Sequence, residues 1–390
     1  TFVNRVGQFV QPFLALYLAG PRDLDTSTVG VIVACFGIGS FVSQPIGGYL
    51  ADRFGRRMTL IAGMAGTAAA FVLLAAVRDL VLIGVAAALA GLVLDLYRPA
   101  VAAIVADLVE PRHRPRAFAL LYWAINLGVA VAGVAGGYLA TRSYWFLFLL
   151  DGATCLVFAG LIVRFVPETH RPVDGGGGRG YRLALHDGLL LGLVGSMFLG
   201  SVVYMQSFVT LPLAVRADGH GPDGFGLVYA VNPVTVILVQ PLVLWLIDRL
   251  PATSLLAGSA VVMGVGFWLT TFADSLAAFG LTVVVWTLGE IGFNAVGPAL
   301  IADIAPADLR GRYNGLVGVA FGASAFVAPL LGTRVFEAFG ETTLWTMCLV
   351  MEGFAALIVL CLARMIRDRR TVVRATADRH PQEAGGSASG

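Results

Sequence analysis

The chain has 390 residues, 58% of them hydrophobic and only 13% charged, with a formal net charge of +2 and a mean hydropathy of +0.83. Soluble globular proteins carry about a quarter charged residues, so this composition excludes a water-facing surface, and the near-neutral balance gives no reason to expect a nucleic-acid partner. Apolar runs of about 20 residues, enough to span a bilayer, recur throughout; they are continuously apolar rather than alternating, which predicts helices instead of a barrel.

Taken between charged or Gly/Pro-rich breaks, the runs give twelve predicted spans, at about 1–19, 28–50, 58–77, 80–106, 116–140, 144–166, 187–214, 225–247, 252–272, 275–302, 313–336 and 342–363. The chain opens partway into the first run, so a preceding N-terminal piece is expected. Residues 167–186 form the one long polar connection and hold four successive glycines, Gly175 to Gly178. They read as a flexible cytoplasmic linker between an N-terminal half (1–166) and a C-terminal half (187–363). Residues 364–390 are basic, then Gly/Ser-rich, and are expected to form a disordered cytoplasmic tail. Cys35, Cys155, Cys348 and Cys361 all lie in apolar runs without metal or disulfide spacing and read as small hydrophobes; no metal site is expected.

All 26 basic residues are Arg. Nineteen fall in loops 2–3, 4–5, 6–7, 8–9, 10–11 and the tail, whereas the alternate loops hold only Arg22, Arg78, Arg142, Arg216 and Arg334. The Arg-rich side is therefore expected to be cytoplasmic, with both termini on it. The halves also repeat. Gln44-Pro45 and Asp52-Arg53 recur 196 residues later as Gln240-Pro241 and Asp248-Arg249, and the same offset carries Asp107 onto Asp303 and Arg116 onto Arg312. Farther on, the offset slips to 201, where Asp151-Gly152 meets Glu352-Gly353. Two repeated six-helix halves are the build of a transporter with its site at their interface.

Loop 2–3 reads Gly48-Tyr49-Leu50-Ala51-Asp52-Arg53-Phe54-Gly55-Arg56-Arg57. This segment resembles the loop signature G-x-L-x-D-R-x-G-R-R of the major facilitator superfamily, and the likeness extends over nearly the whole chain. The resemblance implies that Gly48, Asp52, Arg53, Gly55, Arg56 and Asp107 form a conformational gate, with Asp52 meeting the start of helix 11 and Arg56 pairing with Asp107. Arg57 reads as simple obedience to the positive-inside bias. Within the superfamily the chain is most similar to drug:proton antiporters. Their helix-5 pattern stands here as Gly128 to Gly137, with Ala132-Gly133 in place of Gly-Pro, and their early helix-4 Arg is absent. The stretch Tyr122 to Gly128, with Asn126, resembles helix 5 of proton-coupled peptide symporters.

An ionisable side chain at membrane depth costs several kcal/mol unless paired or wetted, so each is a functional candidate. The resemblance implies that helices 1, 4, 7 and 10 line the cavity. On helix 1, Asn4, Gln8 and Gln11 have helical spacing and predict one polar stripe, with Arg5 beside it. On helix 4, Asp95 and Arg98 are spaced to pair with each other; Asp95 can titrate and Arg98 cannot. On helix 10, Trp286, Glu290 and Asn294 share a face, and Glu290 has no basic neighbour there. Glu290 and then Asp95 are the candidates for proton coupling. Arg5, Gln8, Gln11, Arg98, Asn126, Tyr204, Asn232, Trp286 and Asn294 are the candidates for substrate contact. Asp151 and Glu352, in helices expected to stand outside the cavity, read as structural hydrogen-bond formers.

These features predict a secondary transporter of the inner (cytoplasmic) membrane, monomeric, needing no cofactor beyond a proton gradient. It is expected to expel small amphipathic or drug-like molecules in exchange for protons. A proton-coupled importer of a polar nutrient (peptide, sugar or organic anion) and a non-transporting receptor or scaffold are the alternatives. No nucleophile–base pair or metal cluster suggests an enzyme, and without Lys there is no nucleotide-binding P-loop.

Overall fold

A computed structural model describes residues 2–96, 101, 109–110, 113–166, 185–247, 249–306 and 309–385. These are helical almost throughout, and no strand occurs among them. In chain order the helices are α1 (Phe2–Val6), α2 (Val10–Ala19), α3 (Thr26–Phe54), α4 (Arg56–Ala76), α5 (Leu80–Asp95), α6 (Arg114–Arg142) and α7 (Tyr144–Phe165). They continue with α8 (Gly188–Ala217), α9 (Pro222–Ile247), α10 (Ala252–Leu269, followed by a 3-10 turn at Thr270–Phe272), α11 (Leu276–Ile304), α12 (Arg310–Phe339) and α13 (Glu341–Gly385).

Ten of the described helices are long and apolar enough to cross a membrane, and Leu80–Asp95 is a shorter apolar helix. The difference from twelve expected spans arises at the first and fourth runs. The fourth extends into 97–100 and 102–108, outside the described residues. The first is split into α1 and α2, with Gly7, Gln8 and Phe9 non-helical between them. Two local features permit the split. Gly7 is packed so tightly that a Cβ there would lie 1.8 Å from Thr154 Oγ1. Pro12 has no N–H to continue the ladder to Gln8, so a helix starting at Val10 accepts it without loss. The amides of Phe9 and Val10 are exposed by the break, and the buried carboxylate of Asp151 on α7 accepts both, each at 3.0 Å. At the other end of the chain, α13 runs to Gly385, well past the expected end of the span at 363.

Helix starts carry the sequence's own caps. Asp25 accepts from Thr28 N at 2.8 Å and Thr28 Oγ1 at 2.7 Å, and these bonds hold its carboxyl below the usual value. Asp79 caps α5 through the amides of Val81 and Leu82. Asp187 caps α8 through Leu189 and Leu190. Between α3 and α4 the whole turn is Gly55 at φ 95°, a left-handed position that disfavours a side chain.

Two seams join the halves: α3 against α12 and α6 against α9. Small residues let the backbones meet there. A Cβ on Gly37 would stand 2.1 Å from Ala325 O, and one on Gly226 would stand 2.4 Å from Gly133 O. Within the C-terminal half, α10 packs on α11 and α13 through Phe267, which stacks on Trp286 at 5.1 Å and faces Trp345 at 6.2 Å.

Candidate functional site

Between the seams lies a cavity of about 370 Å³ walled by both halves. From the N-terminal half come Arg5, Gln8 and Gln11 beside the helix break, Ser40 on α3, Asp95 at the end of α5, and Tyr122 and Asn126 on α6. The C-terminal half contributes Tyr204 on α8, Tyr229 and Asn232 on α9, and Trp286, Glu290 and Asn294 on α11. The structure thus brings together all the predicted substrate and proton-coupling residues except Arg98, which lies outside the described residues.

Glu290 is buried, and neutral groups face it. Asn232 Nδ2 donates to Oε2 at 2.6 Å and to Thr287 Oγ1 at 2.9 Å. Asn294 Nδ2, one turn along, donates to Oε1 at 3.5 Å. The Tyr204 ring lines the same cavity. Among the described residues no Arg forms an ion pair with Glu290. Its carboxyl therefore rests on side-chain amide dipoles, whereas a fixed cation would lock it charged.

On the opposite wall, Arg5 Nη1 donates to Gln8 Oε1, and Gln8 Nε2 passes the chain on to Gln11 Oε1 at 3.0 Å. Arg5 and Glu290 line the same cavity, so a cation from one half and a carboxylate from the other share one space. Asp95 is held by the Ser40 hydroxyl. Its expected pairing with Arg98 falls outside the described residues.

Asn4 departs from the predicted stripe. The break at Gly7 turns it away from the cavity, and its Nδ2 points to Met64 Sδ at 3.5 Å and Cys155 Sγ at 3.6 Å. Trp286 offers little stacking surface to a substrate, because one face is taken by Phe267 and its edge by Tyr204 at 6.1 Å. Its indole N–H, however, has no partner among the described residues. Gln206 belongs to the packing: Nε2 donates to Ala328 O at 3.1 Å. Ser40 and Thr287 carry polar contacts that the sequence did not single out; Thr287 lies one turn before Glu290 on the same face, which was the available signal.

In the loop 2–3 motif, Arg53 lies over the rings of Tyr49 and Phe54, at 5.8 and 5.5 Å. Arg57 donates to Val163 O at the end of α7, a tether where only charge bias was expected. Arg56 is buried. The expected pairing of Arg56 with Asp107, and the contact of Asp52 with helix 11, rest on Asp107 and on the Asp52 side chain, which lie outside what the structure describes; Gly48 lies within α3. Among the described residues no three His, Cys, Asp or Glu side chains converge on a metal position. Glu352, at the repeat position of Asp151, is fully buried, and neither carboxylate oxygen has a hydrogen-bond partner among the described residues.

Comparison with known proteins follows the same lines. The sequence model of the Major Facilitator Superfamily matches residues 1–225 and 207–385. A Na(+), Li(+), K(+)/H(+) antiporter of Planococcus maritimus is 26% identical over 411 residues, covering 95% of each chain. The multidrug resistance protein MdtH of Yersinia pestis is 25% identical over 308 residues, covering 75% of each. Among solved structures, a peptide transporter POT superposes with a TM-score of 0.80 at 18% identity, over 94% of this chain and 93% of that one. A D-xylose-proton symporter gives 0.74 at 17% identity, over 92% and 93%. These last two show a shared fold.

Proposed function

The chain belongs to the Major Facilitator Superfamily of transporters, and from that premise we propose that it is a proton-coupled antiporter expelling small amphipathic organic molecules. It works by alternating access between two six-span halves, in the cytoplasmic membrane, with the linker and both termini inside. The observation that carries this reading is Glu290: a buried carboxyl that accepts from side-chain amides, in an aromatic-walled cavity between the halves. Proton and cargo compete for that carboxyl. Binding of a proton releases the cargo, and the differential affinity of the two states for each ligand drives the exchange. Asp95, at the end of α5, is the second proton-coupling group, and Arg56, Arg53 and Asp52 work the gate together with Asp107.

The two curated relatives named above support exchange over uptake. The Planococcus maritimus protein is an alkali-cation/proton antiporter and MdtH a multidrug resistance protein. The test is reconstitution in liposomes loaded with a pH dye, under an imposed proton gradient, with lipophilic cations, antibiotics, peptides, sugars, Na+, Li+ and K+ offered in turn. Proton movement opposite to cargo, abolished in Glu290→Gln, supports the antiporter; flux unchanged in Glu290→Gln removes Glu290 as the carrier.

A second reading has its own observation. Arg5 and Glu290 face one cavity from opposite walls, an arrangement that suits a polar nutrient bearing an anionic group. Protons and substrate entering together would decide for that importer, with Arg5 and Arg98 as anchors.

A further inference from the structure

Away from the central site, a second cavity of about 740 Å³ opens at the Arg-poor end of the N-terminal half. Arg22, Arg78 and Arg142 line it, one from each of the three connections at that end, and no Asp or Glu does. Arg22 is held by neutral groups: Nε donates to Tyr17 Oη at 2.6 Å, and Nη2 to Val77 O at 2.6 Å and Ala75 O at 3.3 Å. These bonds aim the guanidinium without cancelling its charge. Arg142 donates only to the Tyr138 hydroxyl, at 3.2 Å. Arg78 is exposed and makes no polar contact among the described residues. The adjacent Asp79 caps α5, its Oδ1 accepting from the amides of Val81 and Leu82, and it does not line the cavity.

The start of α7 adds to the same field. Ser143 occupies the cap position, yet its side chain makes no capping bond, so the first amides of α7 stay open beside the cavity and the helix dipole favours an anion there. Charge bias explains none of this, because this end of the protein is where arginine is scarce. Three of its five arginines nevertheless converge on one space. Like charges gathered around a cavity repel one another unless an anion shares them.

The walls indicate where that anion comes from. Trp145 is 45% exposed and Phe146 62% exposed at the start of α7, and aromatic side chains at a span's end mark headgroup depth. Phe148 and Tyr144 close the apolar side of the cavity. We propose that this cavity is a binding site for the phosphate of an anionic phospholipid, whose headgroup ties together the three connections at the Arg-poor end of the N-terminal half. A zwitterionic lipid would bring its own cation against three arginines and fit poorly. The site rests on the membrane reading but on neither the direction nor the cargo of transport.

The experiment uses the full chain in zwitterionic phosphatidylcholine nanodiscs, titrated with phosphatidylglycerol. Lipid retained through delipidation is counted by native mass spectrometry, and thermal unfolding is followed in parallel. The variant is Arg78→Gln with Arg142→Gln; both side chains are marginal to the fold, so the protein should still assemble. Each arginine near an anionic surface contributes about a fivefold factor, so the pair should weaken phosphatidylglycerol binding roughly twenty-five-fold. Arg334→Gln, which does not line the cavity, should leave it unchanged. Equal retention of phosphatidylglycerol by the native chain and the double variant would overturn the site. Full stabilisation by millimolar inorganic phosphate, with no preference for phosphatidylglycerol, would overturn the lipid as its occupant.

Discussion

The carboxylate of Asp151 on α7 accepts the amide of Val10 at 3.0 Å, 141 residues away in sequence, and so starts α2 in the middle of what would otherwise be one span. The Phe9 amide shares the same oxygen. A buried N–H without a partner costs roughly 1–3 kcal/mol. Asp151→Leu should therefore lower the thermal unfolding midpoint strongly, while Asp151→Asn, which keeps an acceptor oxygen, should lose less. Thermal melts in detergent check this; equal losses in both variants would mean that the charge, and not the cap, matters.

In the central cavity Asn232 Nδ2 donates to Glu290 Oε2 at 2.6 Å. Residues sharing a hydrogen bond show non-additive mutational effects, typically 0.5–3 kcal/mol. Asn232→Leu and Glu290→Gln should each cut proton-coupled flux, and the double variant should be little worse than Glu290→Gln alone. Single-turnover transport in liposomes reads the cycle. Fully additive losses would separate the two residues functionally.

The seam at Gly226 leaves no room for a side chain against Gly133 O. Gly226→Val should force α6 and α9 apart at the Arg-poor end and shift the population toward a state open on that side. Spin-label distances between the ends of α6 and α9 should lengthen, and transport should fall. An unchanged distance distribution would place the seam outside the conformational cycle.

Asp187 joins three helices. Its Oδ1 caps α8, while Oδ2 accepts from Tyr313 Oη at 2.6 Å and Arg369 Nη2 at 2.8 Å. Partial burial pulls its carboxyl upward, but these partners outweigh that and hold it below the ordinary 3.8. A carboxyl whose value is lowered by folding stabilises the folded state above its unfolded value and loses that contribution as pH falls. Asp187→Asn should thus unfold more easily than the native chain at pH 7, by about 1 kcal/mol. The difference should shrink once pH drops below about 3.8. A gap that stays constant down to pH 3 would assign the effect to packing.

Much of this was legible because lipid imposes simple demands. A bilayer-spanning helix must be apolar for about 20 residues, so the runs, the repeat and the isolated Glu290 all stood out against their surroundings. What sequence concealed has a common cause: contacts between residues far apart in the chain. Gly7 and Pro12 are ordinary in membrane helices, and only Asp151 turns them into a break. That break in turn swung Asn4 out of a stripe that continuous helical spacing had assigned to it. Ser40 and Thr287 escaped because hydroxyls lie cheaply in such helices by bonding their own backbone, as Thr67 does to Gly63 O at 2.8 Å. The grouping of Arg22, Arg78 and Arg142 was invisible for the same reason, each being a lone charge in its own connection.

Glu352 stands where the repeat places Asp151, yet α8 runs unbroken from Gly188 to Ala217 and presents no open amides in mid-course. One half kept a fissure in its leading span and an acid to fill it; the other has the acid and no fissure. The halves are therefore unequal as levers. The C-terminal leading span is one continuous helix with Pro212 inside it, while the N-terminal one is interrupted at Gly7–Phe9, beside Arg5, Gln8 and Gln11. Strain during turnover should concentrate there, on one wall of the cavity, and a machine with near-symmetric architecture would turn over by asymmetric bending.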